Sequence, residues 1–191
     1  MNPGRLLFPA IRWDPLRGYE AARDVIERGL ALGAGGFILF GGTADAAAAL
    51  TTELQQRSAH PLLLGADLER GAGQQFSGAT PLPPAAALGA IDDPAMTRNA
   101  GALTAREARA IGINWIYAPV ADVDVEPANP IVGTRAFGSD PERVATHVHA
   151  WIQGCHDGGA LACAKHFPGH GRTLGDSHAM LPVVHASAPP S

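Results

Sequence analysis

Apolar positions along the chain gather into short continuous runs separated by longer amphipathic stretches. The runs cover residues 36–40, 62–67, 114–121 and 160–166, with 6–13 as an opening run. Runs of this length that are apolar on both faces predict strands covered on both sides, as in a parallel sheet. Between the first two runs, Leu16, Tyr19, Ala22, Ile26 and Leu30 recur at helical spacing and predict one buried stripe on a helix over 15–32. Further helices are predicted over 44–57, 94–111 and 141–157.

Three of these helices share one design. Asp14-Pro15, Asp93-Pro94 and Asp140-Pro141 each pair an N-cap acceptor with a proline suited to the first helical position, and Gly33, Gly112 and Gly158 close them. Thr43 is the cap expected for the Ala-rich helix over 44–57. Strands alternating with helices give the α/β class, as an open doubly wound sheet or a closed barrel. The segment Gly33-Ala34-Gly35-Gly36 precedes a strand instead of following one, so it reads as a helix stop and not a dinucleotide loop. A TIM-type (β/α)8 barrel is the better reading, with this chain holding about its first five βα units as one domain over 1–191. The Pro189-Pro190 tail offers no sixth strand.

Composition narrows the partners. With 46% hydrophobic and 17% charged residues and a net charge of −4, the chain gives no electrostatic reason to expect nucleic acid or an acidic membrane. No run approaches the eighteen or so apolar residues that cross a bilayer, and Leu6-Leu7-Phe8 is too short for a secretory core. Cys155 and Cys163 read as small buried hydrophobes in a reducing compartment, so a cytoplasmic location is expected.

In a barrel the chemistry sits at the carboxyl ends of strands. Asp67, Asp122, Asp124 and the pair Lys165-His166 all fall there, and residues 167–181 form a loop in which Pro168, Gly169, Gly171 and Gly175 block a helix. That loop carries Asp176-Ser177-His178. Residues two apart in an extended segment project to one side, so the carboxylate can orient the imidazole for general acid–base work. Plainer readings stand beside these: a turn for Asp122 and Asp124, a cap for Asp67, a surface ion pair for Arg135. A metal site from His166, His170, His178 and Asp176 competes, although Pro168-Gly169 keeps the first two histidines off one helix face. His147 and His149 read as surface residues, and Trp115 and Tyr117 as barrel packing.

The run Lys165-His166-Phe167-Pro168-Gly169-His170-Gly171, followed by Asp176-x-His178 and Leu181-Pro182, resembles the signature of glycoside hydrolase family 3. Asp67-x-Glu69, the stretch from Gly112 through Asp122, and Asn129-Pro130-Ile131-Val132-Gly133-x-Arg135-x-Phe137-Gly138 agree with it. The likeness is greatest to the β-N-acetylhexosaminidase branch, enzymes that trim N-acetylglucosamine from cell-wall fragments. The resemblance implies that His178 is the acid/base and Asp176 its orienting partner. It also implies that Asp67 accepts bonds from sugar hydroxyls, and that Arg135, Lys165 and His166 hold the ring. Configuration would be retained through a covalent glycosyl-enzyme, with no cofactor or metal.

Two departures qualify the resemblance. Gln75 stands where similar enzymes carry a sugar-contacting arginine, which removes a charge from that subsite. The family's nucleophilic aspartate is expected beyond Ser191, so no normal turnover is expected of these 191 residues alone. Family 3 β-glucosidases are the rival enzyme class, but they generally lack the Asp-x-His loop. A non-catalytic sugar-binding fragment is the rival outside enzymes.

Overall fold

The computed structural model describes residues 2–174 and 181–183. Five parallel strands make one sheet: β1 (Ala10–Arg12), β2 (Gly36–Phe40), β3 (Leu63–Ala66), β4 (Trp115–Ile116) and β5 (Leu161–Ala162). Their spatial order is β1-β2-β3-β4-β5, with Ala10 opposite Ile38, Gly36 opposite Leu63, Gly65 opposite Trp115, and Trp115 opposite Leu161. A doubly wound sheet reverses its strand order at a switch point. Among the described residues no reversal occurs, and the consecutive order is that of part of a (β/α)8 barrel. The connecting helices are α1 (Arg23–Leu32), α2 (Ala44–Arg57), α3 (Ala85–Ile91), α4 (Pro94–Ile111) and α5 (Pro141–Asp157). Ile11, Phe37, Leu39, Leu64 and Ile116 from the sheet meet Ile26 and Leu54 from the helices in a core closed to solvent.

Capping chemistry sets the helix starts where it is intact. The Asp93 carboxylate accepts from the Ala95 and Met96 amides, Asp140 from Arg143, and Thr43 from Ala46, so α4, α5 and α2 begin and end where the sequence predicts. The first helix departs from prediction. Asp14 accepts from the Leu16 and Arg17 amides in a local turn closed by Gly18, whose φ of 59° and ψ of −143° no helix tolerates. The helix therefore starts late, after a 3-10 turn at Tyr19–Ala22, and Leu16 is 96% exposed instead of joining the stripe.

The strands are shorter than predicted. Pro9 and Pro119 have no N–H to give to a ladder, which limits β1 and β4. Pairing beyond β4 continues irregularly, as Lys165 N donates to Pro119 O at 3.0 Å. Helix α3, for which the hydrophobic pattern gives no prediction, follows Pro84 and stops at Asp92 in the left-handed region. Gly89 of α3 sits against Phe137, where an added Cβ would lie 1.8 Å from the carbonyl oxygen. His147 is fully buried, not at the surface. It lies in the inward stripe of Val144 and Trp151, stacks on Phe137 with centroids 5.3 Å apart, and bonds Thr97 at 2.8 Å. The predicted difference of face between His147 and His149 holds, but only His149 faces water.

Helices α4 and α5 touch backbone to backbone. A Cβ on Gly154 would stand 1.9 Å from Arg98 O, and one on Gly101 would stand 2.4 Å from Trp151 O. Neither neighbour is a flexible side-chain tip, so the helices themselves would have to part. Gly154→Ala is expected to cost about 3 kcal/mol, the upper part of the usual overpacking range. Thermal unfolding should show a midpoint lower by roughly 6–12 °C; an unchanged midpoint would contradict the packing described.

Candidate functional site

The sheet positions the polar residues by ending where they begin. Asp67 follows β3 directly, Asp122 lies past the irregular continuation of β4, and Lys165 closes that of β5 in a bridge to Val120, with His166 next. A cleft of about 580 Å³ opens above these strand ends, lined by Asp67, Glu69, Gln75, Arg135, Lys165 and His166 among others. All five described residues predicted to bind substrate are thus brought together. Asp176 and His178 lie outside the described residues.

Charge pairing organises the cleft. The Lys165 ammonium sits 2.5 Å from Asp67 Oδ1 and 2.7 Å from Glu69 Oε1. Glu69 also accepts from Arg135 through both oxygens, from Nε at 2.9 Å and Nη2 at 2.8 Å. A fork-to-fork geometry of this kind is the strong form of an ion pair. Glu69 therefore holds two cations that come from different loops. Burial works to raise its carboxyl, but the hydrogen bonds from Arg135 and Lys165 outweigh that and hold it down at about 2. Glu69 was legible only as part of the Asp67-x-Glu69 pair; its buried, two-cation role is new from the structure.

Acid sensitivity follows from that depression. A carboxyl lowered from 4.5 to about 2 stabilises the fold fully above its unfolded value and ceases to do so as the pH falls toward 2. The amount at stake is on the order of 3 kcal/mol. Urea unfolding from pH 5.5 down to 2.5 should show falling stability in the wild type. The slope should be clearly shallower in Glu69→Gln, and equal slopes would contradict the assignment.

Behind the cleft wall, the Asp122 side chain is closed to solvent. Its Oδ2 lies 2.6 Å from His166 Nδ1 and its Oδ1 accepts from the His170 amide at 2.6 Å. Burial pushes the Asp122 carboxyl up, while the bonds from His166 and His170 bring it below the ordinary carboxylate value. Asp122 is more than the end of a strand. Asn129 makes a second tie between the same loops, giving its amide to His170 O and Thr173 O and accepting from Ile131 N and Val132 N.

Gln75 reaches the cleft in a restrained form. Its Oε1 accepts from the Gly41 amide at 3.0 Å, which leaves the Nε2 donor for a ligand. Arg135 is not a surface ion-pair former: its side chain is 30% exposed and its partner Glu69 only 10%. Of the four residues weighed as a metal site, only His166 and His170 are described, and their rings meet edge to face at 5.2 Å. The cleft as a whole offers alternating donors and acceptors around a polar cavity, suited to a neutral ligand with several hydroxyls.

Comparison with known proteins gives the chain a place. The sequence profile of the glycosyl hydrolase family 3 N terminal domain matches residues 20–189. A β-hexosaminidase of Thiobacillus denitrificans is 43% identical over 143 residues, 71% of this chain and 40% of that protein. A β-N-acetylglucosaminidase/β-glucosidase of Cellulomonas fimi is 41% identical over 158 residues, 83% of this chain and 28% of that protein. The chain thus spans well under half the length of either relative. Among solved structures, NagZ from Neisseria gonorrhoeae in complex with N-trifluoroacetyl-D-glucosamine superposes with a TM-score of 0.77 at 32% identity, covering 92% of this chain and 53% of that one.

Proposed function

The chain belongs to glycosyl hydrolase family 3, and on that premise we propose that its cleft holds the terminal sugar of a β-linked N-acetylhexosamine glycoside. The observation that carries this reading is the chain of paired charges, Lys165 with Asp67 and Glu69 and Glu69 with Arg135, which joins the ends of two strands and the loop after β4 and faces one open cleft with His166. Hydroxyl groups both give and accept hydrogen bonds, and such a mixed rim satisfies them in a way that an apolar pocket cannot.

The reaction in this proposal is a retaining double displacement. His178, oriented by Asp176, protonates the leaving oxygen and later takes a proton from water. The covalent step requires an aspartate from outside these 191 residues. Asp67, Lys165 and His166 hold the ring, Arg135 is fixed by Glu69 at the rim, and Gln75 offers a neutral donor at its edge. The names of the two curated relatives favour N-acetylhexosamine, and the Cellulomonas fimi relative keeps β-glucoside as a second reading. Hydrolysis of 4-nitrophenyl N-acetyl-β-glucosaminide and the matching β-glucoside by the intact protein separates the two. The expected result is faster cleavage of the acetamido sugar; faster glucoside cleavage refutes the choice.

A further inference from the structure

We propose that Asp122 is a positioning residue that fixes His166 in one tautomer, with Nδ1–H toward the carboxylate and an unprotonated Nε2 on the cleft side, where Arg135 Nη2 meets it only at 3.5 Å and a closer donor can take the lone pair. His166 then accepts a hydrogen bond from a sugar hydroxyl instead of giving one. This rests on the sugar-site reading above and adds to it the direction of one contact and the residue that sets it.

The groups on either side of the ring leave one arrangement. Asp122 Oδ2, 2.6 Å from Nδ1, can only accept while ionised, so Nδ1 carries the proton. On the far side, Arg135 Nη2 stands 3.5 Å from Nε2, and a guanidinium can only donate. A proton on Nε2 would set donor against donor. Arg135 cannot turn away to relieve this, because Glu69 grips its Nε and Nη2 together. Asp122 is also unable to turn, since its other oxygen accepts from the His170 amide and its side chain is closed to solvent. A strand-ending turn would ask for none of this: it needs no second oxygen committed to a ring from another strand.

The consequence is a defined set of groups for the ligand. Lys165 spends hydrogen bonds on Asp67 and Glu69, so of its three N–H groups one remains for a sugar oxygen. Beside that donor stand two acceptors, the Asp67 carboxylate and His166 Nε2. Adjacent ring hydroxyls can meet such a set by donating to the acceptors and receiving from the ammonium. An Nε2–H tautomer would replace one acceptor by a donor and break the match.

The test uses the intact protein labelled with ¹⁵N at histidine. Long-range ¹H–¹⁵N spectra should show His166 Nδ1 protonated and Nε2 with the shift of an unprotonated ring nitrogen. In Asp122→Asn the amide can donate to Nδ1, and the pattern should reverse. Elsewhere, carboxylate-to-amide exchange beside a histidine preserves geometry and fails through the wrong tautomer; here, with His166 in a binding role, kcat/KM on the N-acetyl-β-glucosaminide should fall roughly 10- to 100-fold. In a His166→Gln background the same change should cost less than about threefold, because coupled residues do not add. A protonated Nε2 in the wild type overturns the proposal and needs no variant to be folded. So does an equal loss in both backgrounds, which would mean that Asp122 acts through folding or His170. Absence of sugar turnover in the wild type would remove the hydroxyl as partner of Nε2, while the nitrogen shifts still decide the Asp122–His166 assignment.

Discussion

Replacing His178 by alanine in the intact protein is expected to lower kcat on an N-acetyl-β-glucosaminide by roughly 10²- to 10⁴-fold, the contribution of a positioned general acid–base group. The loss should depend on the leaving group. An alkyl or sugar aglycone departs as a strongly basic oxygen and needs the proton, whereas an acidic phenol departs largely unaided. The largest loss is therefore expected on a natural-type disaccharide and the smallest on a dinitrophenyl glycoside. Asp176→Ala should give the same ordering with a smaller size, since it leaves the imidazole in place and removes the carboxylate that orients it. Steady-state rates across a series of aryl leaving groups check this. A loss of one size for every leaving group would show that His178 serves binding or folding and not proton transfer.

Lys165→Met is expected to have the second large effect, and it should act on both stability and turnover. The Lys165 side chain is 16% exposed, and its ammonium joins Asp67 and Glu69, which come from one strand end, to the strand end that carries His166. Its removal leaves Glu69 to Arg135 alone, and takes from Asp67 its one cationic contact among the described residues. Breaking a buried pair by deleting one partner typically costs about 3–5 kcal/mol. The solvent that reaches Asp67, whose side chain is 30% exposed, moves the expectation to the lower end. At the reaction, loss of a charge-assisted bond to substrate together with displacement of Asp67 should reduce kcat/KM by roughly a hundredfold or more. Lys165→Arg should rescue little, since the larger planar guanidinium cannot occupy the mostly buried position of a compact ammonium without displacing Asp67 or Glu69. Urea unfolding and kcat/KM measured on the same preparations are the checks. Activity within a fewfold of wild type would remove Lys165 from the site.

Much of the fold was readable because local chemistry and global topology agree. At Asp93-Pro94, Asp140-Pro141 and Thr43, a side-chain oxygen meets free amides at the start of an apolar-periodic stretch, and the helices follow to the residue. At Asp14 the same pattern misled, because Gly18 four residues later diverts the chain into a closed turn that uses the same carboxylate. The strand ends misled in another way. Apolar runs through 121 and 166 look like uninterrupted ladders, but Pro119 cannot donate, and that irregular stretch delivers Asp122, Lys165 and His166 to the cleft.

The site was readable as a set of residue types and not as a circuit. Position at strand ends is encoded in the order of runs and polar residues, so Asp67, Lys165 and His166 could be named. Which carboxylate holds which cation depends on contacts between residues 66 or 98 apart, as for Glu69 with Arg135 and Asp67 with Lys165. No periodicity carries that information. Its place two residues after Asp67, at the strand end and just before a glycine-rich turn, was the available hint for Glu69. For His147 the hint was its place three residues after Val144 and four before Trp151, a position on the inward stripe.

Everything functional depends on the sugar ring lying against Lys165. A crystal of the protein soaked with N-acetylglucosamine gives the most direct reading. Ring density is expected in the cleft, with hydroxyl oxygens within hydrogen-bonding reach of Asp67, Lys165 and His166 Nε2. Density for the sugar elsewhere on the molecule, with that cleft still filled by water at saturating sugar, would contradict it.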